Sequence, residues 1–349
     1  MNITDSAIWQ KDPAKVASIT QKNVLGGSYL VTGASGLIGS AFVDLLLCLR
    51  NIGKANIRVV AAGRDVAKLM SRFADAEGIQ FLSYDATRPF KFPGAVDYVV
   101  HAASNASPDL YMTDPCGTIS ANIDGMRNLL EFARTCQASK VLYVSSSEVY
   151  GVRSCPGPAG ETDYGSVDPL NPRSSYAEGK RAAEAICAAY AAQHGVHVSI
   201  VRPGHIYGPT ATANDHRVSS EFPRRAARGE PIVMKSAGNQ RRSYCHCLDC
   251  ATAMLTVLTF GESAAAYNIS NPDSVITIRE MAEIVASAGG VPLTFSTASA
   301  AEKAAFNPMD DSSLDSGRLV ALGWRGVFTA TIGLSRTVAV LKEILANAT

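Results

Sequence analysis

The chain has 349 residues, of which 47% are hydrophobic and 18% charged, so it can bury a large core in one big or two modest domains. Its 32 basic and 31 acidic residues nearly cancel, which excludes a general electrostatic attraction to nucleic acid or to an anionic membrane. No apolar run approaches the roughly 18 residues of a membrane span, and the polar start lacks the apolar block of a signal peptide. We therefore expect a cytoplasmic protein.

The eight cysteines do not indicate a disulfide framework. Most lie inside apolar segments without the even spacing of a small secreted fold, which favours a reducing compartment. Cys245, Cys247 and Cys250 surround His246, but in an extended segment residues 245 and 247 share a face while 246 points the opposite way. No second ligand pair follows, so we expect core thiols rather than a metal site.

Residues 1–27 form a polar arm, in which we expect a short helix over residues 14–21. A glycine-rich turn follows this arm. An apolar strand from Tyr29 runs into TGASGLIG (residues 32–39) and then into an apolar helix. Gly33 permits the sharp turn, Gly36 lets the backbone approach a phosphate, and Gly39 lets the helix pack on the strand. The turn predicts a dinucleotide site whose residues are Gly33, Ser35, Gly36, Leu37, Ile38 and Gly39.

The end of the second strand (residues 57–62) bears on the choice of cofactor. An NAD-specific site places a carboxylate there to bind the adenosine ribose, but this chain has Gly63 followed by Arg64. Arg64 could pair with the 2'-phosphate of NADP, or it could be a solvated residue at the start of the next helix. NAD and NADP both remain open.

The following strands (residues 80–83, 96–100 and 141–144) alternate with helices and are nearly continuous in apolar residues. This pattern predicts an α/β fold with a doubly wound, parallel, Rossmann-type sheet, whose ligands lie at the carboxyl ends of the strands. The strand ends add four predicted cofactor-binding residues, namely Asp85, Ala102, Ala103 and Ser104.

The predicted catalytic residues follow the fifth strand. Ser146 lies at its end, and Tyr176 and Lys180 follow in YAEGK. Tyrosine and lysine four residues apart share a helix face, so the ammonium can lower the phenol pKa while the serine holds a substrate hydroxyl. A tyrosinate beside a nicotinamide is a base for alcohol oxidation, although a tyrosine–lysine pair alone can be a mere surface pair.

From about residue 28 onward, the chain resembles the extended short-chain dehydrogenase/reductase family of nucleotide-sugar epimerases and dehydratases. The motifs that carry the resemblance are TGASGLIG, HAAS, SSSEVYG, YAEGK and RPGHIYGP. Within that family the chain is most similar to UDP-glucuronate decarboxylases, which share HxASxASPxxY (residues 101–111), SEVYG (147–151) and DxRVxSxF (215–222). The segment of residues 242–249 is similar to one whose arginine grips the nucleotide-sugar pyrophosphate.

The resemblance implies transient oxidation of the sugar C4 by Tyr176, Lys180 and Ser146, followed by decarboxylation, 4,6-dehydration or 4-epimerisation. It adds Ser147 and Glu148 to the catalytic residues. It also implies that Tyr176, Lys180 and Pro203 contact the cofactor. The implied substrate-binding residues are Ser107, Tyr111, His205, Glu221 and Arg242.

Glu148 favours two of the three reactions. Its place after Ser146 lets the carboxylate reach the C5 and C6 side of a sugar whose C4 faces Tyr176. An epimerase needs no acid or base on that side of the sugar. The family's dehydratases and decarboxylases carry a glutamate here, and the decarboxylases precede it with Ser, as in this chain. We therefore expect decarboxylation of a nucleotide-linked uronic acid or 4,6-dehydration, with 4-epimerisation third. Alternatively, Glu148 is a hydrogen-bonded loop residue.

Three positions depart from the family pattern, which usually has Asn at His205, Asn at Glu221 and an acid at Gly63. They leave the nucleotide and the sugar open. A simple NADPH-dependent ketone reductase would keep the same Ser, Tyr and Lys, and Gly63 with Arg64 favours it slightly, whereas the Arg242 segment argues against it. A noncatalytic dinucleotide sensor would tend to lose the tyrosine–lysine pair.

We expect an N-terminal arm (residues 1–27), a dinucleotide-binding domain (28–205) and a smaller substrate-binding lobe (206–349), interleaved in one folding unit. Arginines make the second lobe locally basic, which suits a diphosphate. Small residues over residues 182–192 allow close helix contact, and the resemblance implies a homodimer that pairs this helix and that of residues 119–135 across a two-fold axis.

Overall fold

The computed structural model describes residues 3–19, 24–53, 55–74, 76–104, 106, 108–299 and 309–347. Its strands are β1 (Gly27–Thr32), β2 (Ile57–Gly63), β3 (Ile79–Ser83), β4 (Tyr98–His101), β5 (Lys140–Val144), β6 (Val198–Pro203), β7 (His205–Tyr207), β8 (Ile232–Met234), β9 (Arg241–His246), β10 (Ala266–Ile269), β11 (Val275–Thr277), β12 (Leu293–Phe295) and β13 (Asp311–Ser312). Its helices are α1 (Ala7–Ile19), α2 (Leu37–Asn51), α3 (Val66–Arg72), α4 (Pro108–Thr113), α5 (Pro115–Thr135), α6 (Ser174–His194), α7 (Val218–Ala227), α8 (Cys247–Phe260), α9 (Ile278–Gly289), α10 (Gly317–Ala321) and α11 (Ala330–Ala346).

The main sheet has seven parallel strands in the order β10-β6-β5-β4-β1-β2-β3. One face packs against α2 and α8, and the other packs against α5 and α6. Burial on both faces explains why the strands read as nearly continuous apolar runs. The predicted doubly wound α/β fold is confirmed. The strand order reverses between β1 and β4, which places the expected ligand crevice at their carboxyl ends.

The second part of the chain returns to this sheet before it ends. β7, β9, β11 and β13 form a small separate sheet, and β8 pairs with β12. Helices α7, α9 and α11 pack on one another beside them. By contrast, α8 packs on the main sheet and β10 forms its edge, so the segment from β9 to β10 crosses between the two parts.

The N-terminal arm forms a helix that begins earlier than the sequence predicts. The expected helix over residues 14–21 was placed too late: α1 begins at Ala7, includes Pro13, and ends at Ile19, while residues 20–23 lie outside the described residues. Proline within the segment argues against a helix there in the sequence, but the packing of α1 against α2, α8 and α11 overrides that preference. Asp12 is buried and ion-paired with Arg336 of α11, which ties the arm to the end of the chain.

Trp9 anchors the arm, and its removal is expected to destabilise the protein. Its side chain is 2% exposed, and its Nε1 donates to Asp44 of α2 at 3.2 Å. Trp9→Ala leaves a cavity and removes one of the two hydrogen bonds that Asp44 accepts, the other coming from Arg72, so it should lower the free energy of unfolding by about 3 kcal/mol in urea denaturation. The control is Leu170→Ala, because Leu170 is 91% exposed and should change it by under about 0.5 kcal/mol. Equal effects would show that the arm does not contribute to the core.

The cysteine cluster is part of the core. Cys245, Cys247 and Cys250 are fully buried, and burial raises the pKa of each thiol. Within the described ranges, no three His, Cys, Asp or Glu side chains gather in a way that could hold a metal ion. None of the described helices combines the length and apolar character needed to cross a membrane.

Candidate functional site

The turn between β1 and α2 has the shape that a dinucleotide pyrophosphate requires. Gly33 has φ +70°, and a Cβ there would come within 2.6 Å of the Ala102 carbonyl oxygen. A Cβ at Gly39 would collide with the Gly33 carbonyl, so the helix can approach the turn only without one. Gly36 is the N-cap of α2 and makes no side-chain cap, which leaves the first backbone N–H groups of the helix for an anion. The residues present therefore fit a nicotinamide dinucleotide.

The other predicted cofactor residues lie around this turn. Ala102, Ala103 and Ser104 directly follow β4, beside β1, and Pro203 is the buried last residue of β6. Ser104 Oγ donates to Asn122 Oδ1 at 3.0 Å, which fixes its orientation. Their contacts with a cofactor stay a prediction.

The edge of the site near β2 lacks a carboxylate at Gly63. The position of a Cβ on Gly63 lies 3.7 Å from Ser35 Oγ, so the space that an acid would occupy adjoins the glycine turn. Arg64 is exposed at the same edge. Asp85 accepts hydrogen bonds from the backbone and hydroxyl of Thr87, at 3.0 and 2.8 Å, and these bonds lower its pKa. The Asp85 carboxylate therefore already caps a local turn.

Tyr176 and Lys180 lie on α6, and both are buried. Lys180 Nζ donates to the Val144 carbonyl at 2.8 Å and lies 5.8 Å from the centroid of the Tyr176 ring. Burial lowers the pKa of Lys180 to about 7. Burial raises the pKa of Tyr176, and hydrogen bonds with Ser146 and Tyr111 offset only part of this increase. The expected lowering of the phenol pKa toward neutrality is therefore not found in this arrangement, because desolvation outweighs the groups that lower the pKa.

Glu148 lies on the short 3-10 helix Ser147–Tyr150 that follows β5. Ser146 caps this helix by accepting a hydrogen bond from the Glu148 backbone at 3.2 Å, and Ser147 is buried beside it. Both carboxylate oxygens of Glu148 accept hydrogen bonds from the two terminal nitrogens of Arg173, each at 3.0 Å. The charge of Glu148 raises the pKa of Tyr176, so the carboxylate acts electrostatically on that phenol.

The predicted substrate side is lined by aromatic and basic groups. Tyr111 is buried and stacks on Tyr176, with ring centroids 4.5 Å apart and planes at 13°. His205 of β7 has a buried Nδ1 for which the described residues provide no hydrogen-bond partner. Burial, with the charges of Arg242 and Arg217, lowers the pKa of His205 to about 3, so the ring is neutral.

Arg242 of β9 is a buried cation without a carboxylate partner among the described residues. It is 3% exposed and donates to the carbonyls of Arg241 and Asp310, at 2.8 and 3.4 Å. By contrast, Glu221 is half-exposed in the first turn of α7, and its Oε1 lies 3.8 Å from Arg225 Nη1. Ser107 lies outside the described residues.

Three charged features of the site were not singled out in the sequence, although Arg217 is one of the arginines that make the second lobe locally basic. Arg173 holds Glu148, and it could have been found from its place three residues before Tyr176. Arg217 is held by Asp215 through two hydrogen bonds of 2.9 and 2.6 Å, and its charge acts on both Tyr111 and Tyr176.

The third missed group is a buried ion pair behind Lys180. Glu184 of α6 accepts hydrogen bonds from Arg202 Nε and Nη2, at 2.9 and 2.6 Å, and from Ser145 Oγ at 2.5 Å. Its charge raises the pKa of Lys180 against the effect of burial. The signal in the sequence is the four-residue spacing from Lys180 to Glu184 on one helix face.

The model of the NAD dependent epimerase/dehydratase family matches residues 29–270, which is more than half of the chain. The chain belongs to this family. The resemblance seen in the motifs is confirmed, and the protein is an NAD-dependent enzyme that modifies nucleotide sugars. The glycine turn, Tyr176 and Lys180 all lie within the matched residues.

Individual relatives cover most of this enzyme. UDP-glucuronic acid decarboxylase 6 of Arabidopsis thaliana is 34% identical over 258 residues, which cover 73% of this chain and 72% of the relative. UDP-glucuronic acid decarboxylase 1 of Xenopus tropicalis is 30% identical over 321 residues, which cover 90% and 72%. The crystal structure of DesIV, a dTDP-glucose 4,6-dehydratase from Streptomyces venezuelae with NAD bound, matches with a TM-score of 0.76 at 25% identity and covers 90% of this chain and 97% of DesIV.

Proposed function

We propose that this enzyme decarboxylates a nucleotide-linked uronic acid. The observation that supports this most is the Glu148–Arg173 pair beside Tyr176, because it provides a fixed carboxylate and a cation where the C5 and C6 atoms of the sugar would lie. The similarity to two UDP-glucuronic acid decarboxylases supports the same reaction and a uridine diphosphate substrate. 4,6-dehydration is the second candidate, which the likeness to DesIV supports.

The catalytic groups are assigned from their positions. Tyr176 removes the proton of the sugar C4 hydroxyl, which Ser146 orients by a hydrogen bond. The glycine turn would hold NAD, which would supply the acceptor for the C4 hydride and the hydride that is returned. Lys180, fixed by its hydrogen bond to the Val144 carbonyl, adds positive charge that stabilises the tyrosinate as it forms, and the charge of Glu184 favours the protonated lysine. Ser147 supports the loop that carries Glu148.

The C4 ketone makes the loss of carbon dioxide possible. It is beta to the C6 carboxylate, so the C5–C6 bond can break with its electron pair passing to the C4 oxygen as an enolate. A proton from solvent then adds to C5 through a water molecule that Glu148 orients, and the reaction consumes one proton overall. The neutral His205, with its free Nδ1, and the unpaired Arg242 are assigned to the substrate's polar groups and diphosphate.

A substrate panel tests the proposal. The enzyme is incubated with UDP-glucuronic acid, UDP-glucose, and GDP, CDP and dTDP hexoses, while carbon dioxide, 4-keto sugar absorbance and epimers are followed. Carbon dioxide from UDP-glucuronic acid is expected. A stable 4-keto product from a neutral hexose would instead support the dehydratase, an epimer alone the 4-epimerase, and stoichiometric consumption of NADPH the ketone reductase.

We also propose that the site accepts NADP as well as NAD. Gly63 stands where a carboxylate would repel the 2'-phosphate of NADP, and Arg64 lies at the same edge. Arg64→Ala should weaken NADP binding by about tenfold and NAD binding by under about threefold in calorimetric titration. Arg58→Ala, at the other end of β2, is the matched control and should change neither. Equal losses for both cofactors in Arg64→Ala would show that Arg64 does not bind the 2'-phosphate.

The enzyme is further expected to form a homodimer through α5 and α6. On the outer side of α6, Ala185, Ala188 and Ala189 are exposed, so a second pair of helices could approach closely. Light scattering at micromolar concentration should give the mass of a dimer, and Ala189→Arg should give a monomer. A monomeric wild-type protein would contradict this assembly.

A further inference from the structure

Arg173 and Glu148 are brought together although 25 positions separate them in the chain. Arg173 lies immediately before α6, and Glu148 lies on the 3-10 helix after β5, so the pair links the two segments that carry Tyr176 and Ser146. Each side chain is 19% exposed. The two parallel hydrogen bonds give the carboxylate one fixed orientation, as arginine forks do.

The charges in the site show why such a pair matters for the substrate. If the proposed function is right, the sugar brings a C6 carboxylate to the side where Glu148 lies. Two carboxylates in a poorly solvated site repel each other unless a cation compensates one of them. Among the described residues, Arg217 is already held by Asp215, and Arg173 is the cation that contacts Glu148.

Arg173 also has an unused donor. Its two terminal nitrogens hold Glu148, while its Nε is buried and has no hydrogen-bond partner among the described residues. A buried N–H without an acceptor costs stability, which a ligand acceptor could recover. The guanidinium therefore holds Glu148 and still has one donor for a neutral oxygen that both ligands of the test below carry.

We propose that Arg173 is the positioning residue that makes the site selective for a C6 carboxylate over a C6 hydroxymethyl group or a sugar without C6. It does so by neutralising Glu148, so that a uronic acid can bind next to that carboxylate. This inference rests on the proposed function, but it concerns a different residue and makes a separate prediction: the effect of Arg173 depends on both the C6 group of the ligand and the presence of Glu148.

The test compares two ligands that differ only at C6. Binding of UDP-glucuronic acid and of UDP-xylose, the pentose left when C6 departs as carbon dioxide, is measured by calorimetry on the enzyme with NAD, in a Tyr176→Phe background that prevents turnover. Adding Arg173→Gln should weaken the binding of UDP-glucuronic acid by about 30-fold and the binding of UDP-xylose by under about threefold. Arg173→Lys, which keeps the charge without the fork, should recover part of the loss.

The second half of the test is a double-mutant cycle with Glu148→Gln. Once Glu148 is neutral, Arg173→Gln should weaken UDP-glucuronic acid by under about threefold, because the repulsion that Arg173 cancels is absent. Arg279→Gln, which removes an exposed arginine–glutamate pair on α9, is the matched control and should change no binding constant. Circular dichroism and thermal unfolding confirm that each variant is folded.

Other results would overturn the inference. An equal loss of affinity for both ligands in Arg173→Gln would show a general structural role. If the full loss of affinity for UDP-glucuronic acid persists in the Glu148→Gln background, Arg173 binds the C6 carboxylate directly and does not act through Glu148. These outcomes leave the proposed function intact if the wild-type enzyme releases carbon dioxide from UDP-glucuronic acid. If it neither binds nor decarboxylates UDP-glucuronic acid, the proposed function fails and this inference fails with it.

Discussion

Tyr176→Phe should lower kcat for nucleotide-sugar conversion by about 10³-fold, because it removes the only group assigned to take the C4 hydroxyl proton. The ring, its burial and its stacking on Tyr111 are all retained, so binding of the nucleotide sugar should change little. The measurement is steady-state kinetics with product detection by NMR. Tyr190→Phe, which removes a hydroxyl from the same helix outside the site, should keep full activity. Wild-type turnover in Tyr176→Phe would remove the catalytic assignment.

Lys180→Met is expected to change the pH dependence of the free energy of unfolding as well as activity. The pKa of Lys180 in the folded enzyme is about 7, below the value of about 10.4 in an unfolded chain. The unfolded state therefore holds more protons between those values, and the contribution of Lys180 to stability increases as the pH rises through this range. Lys180→Met should abolish most turnover and remove this part of the pH dependence in urea unfolding from pH 7 to 10. A variant that is both inactive and unfolded would show that Lys180 is mainly structural.

Glu148→Gln should lower the rate of carbon dioxide release by about 10²-fold, since it removes the carboxylate that orients water at C5 and frees Arg173. Gln keeps the size of the side chain and can still accept one hydrogen bond. Glu131→Gln, which breaks an exposed glutamate–arginine pair on α5, is the matched control. If Glu148→Gln keeps full activity and the product is only a C4 epimer, the role assigned to Glu148 is wrong and 4-epimerisation takes its place.

The sequence identified those parts of the enzyme that local rules determine. The glycine turn requires Gly33 and Gly39 within a few residues of each other, and the pairing of Tyr176 with Lys180 follows from helical spacing. The parallel sheet also follows from the pattern, because apolar strands that alternate with helices have few other arrangements. These features were predicted and are present in the structure.

The missed features depend on tertiary contacts. Glu148 is bound by Arg173, and Asp44 in α2 is bound by Trp9 of α1 and Arg72 of α3; none of these pairings has a sequence signature. The direction of the Tyr176 pKa was also wrong, because the spacing of charges is visible in a sequence whereas the depth of burial is not.

The most direct test of the account follows the C4 hydrogen and the C6 carbon of one substrate together. UDP-glucuronic acid carrying deuterium at C4 and carbon-13 at C6 is incubated with the enzyme and NAD, and the products are analysed by NMR and mass spectrometry. We predict one labelled carbon dioxide for each UDP-pentose, with the deuterium retained at C4 and no net formation of NADH. Labelled carbon that stays in the sugar, or a pentose that has lost its deuterium, would contradict a decarboxylation driven by transient oxidation at C4.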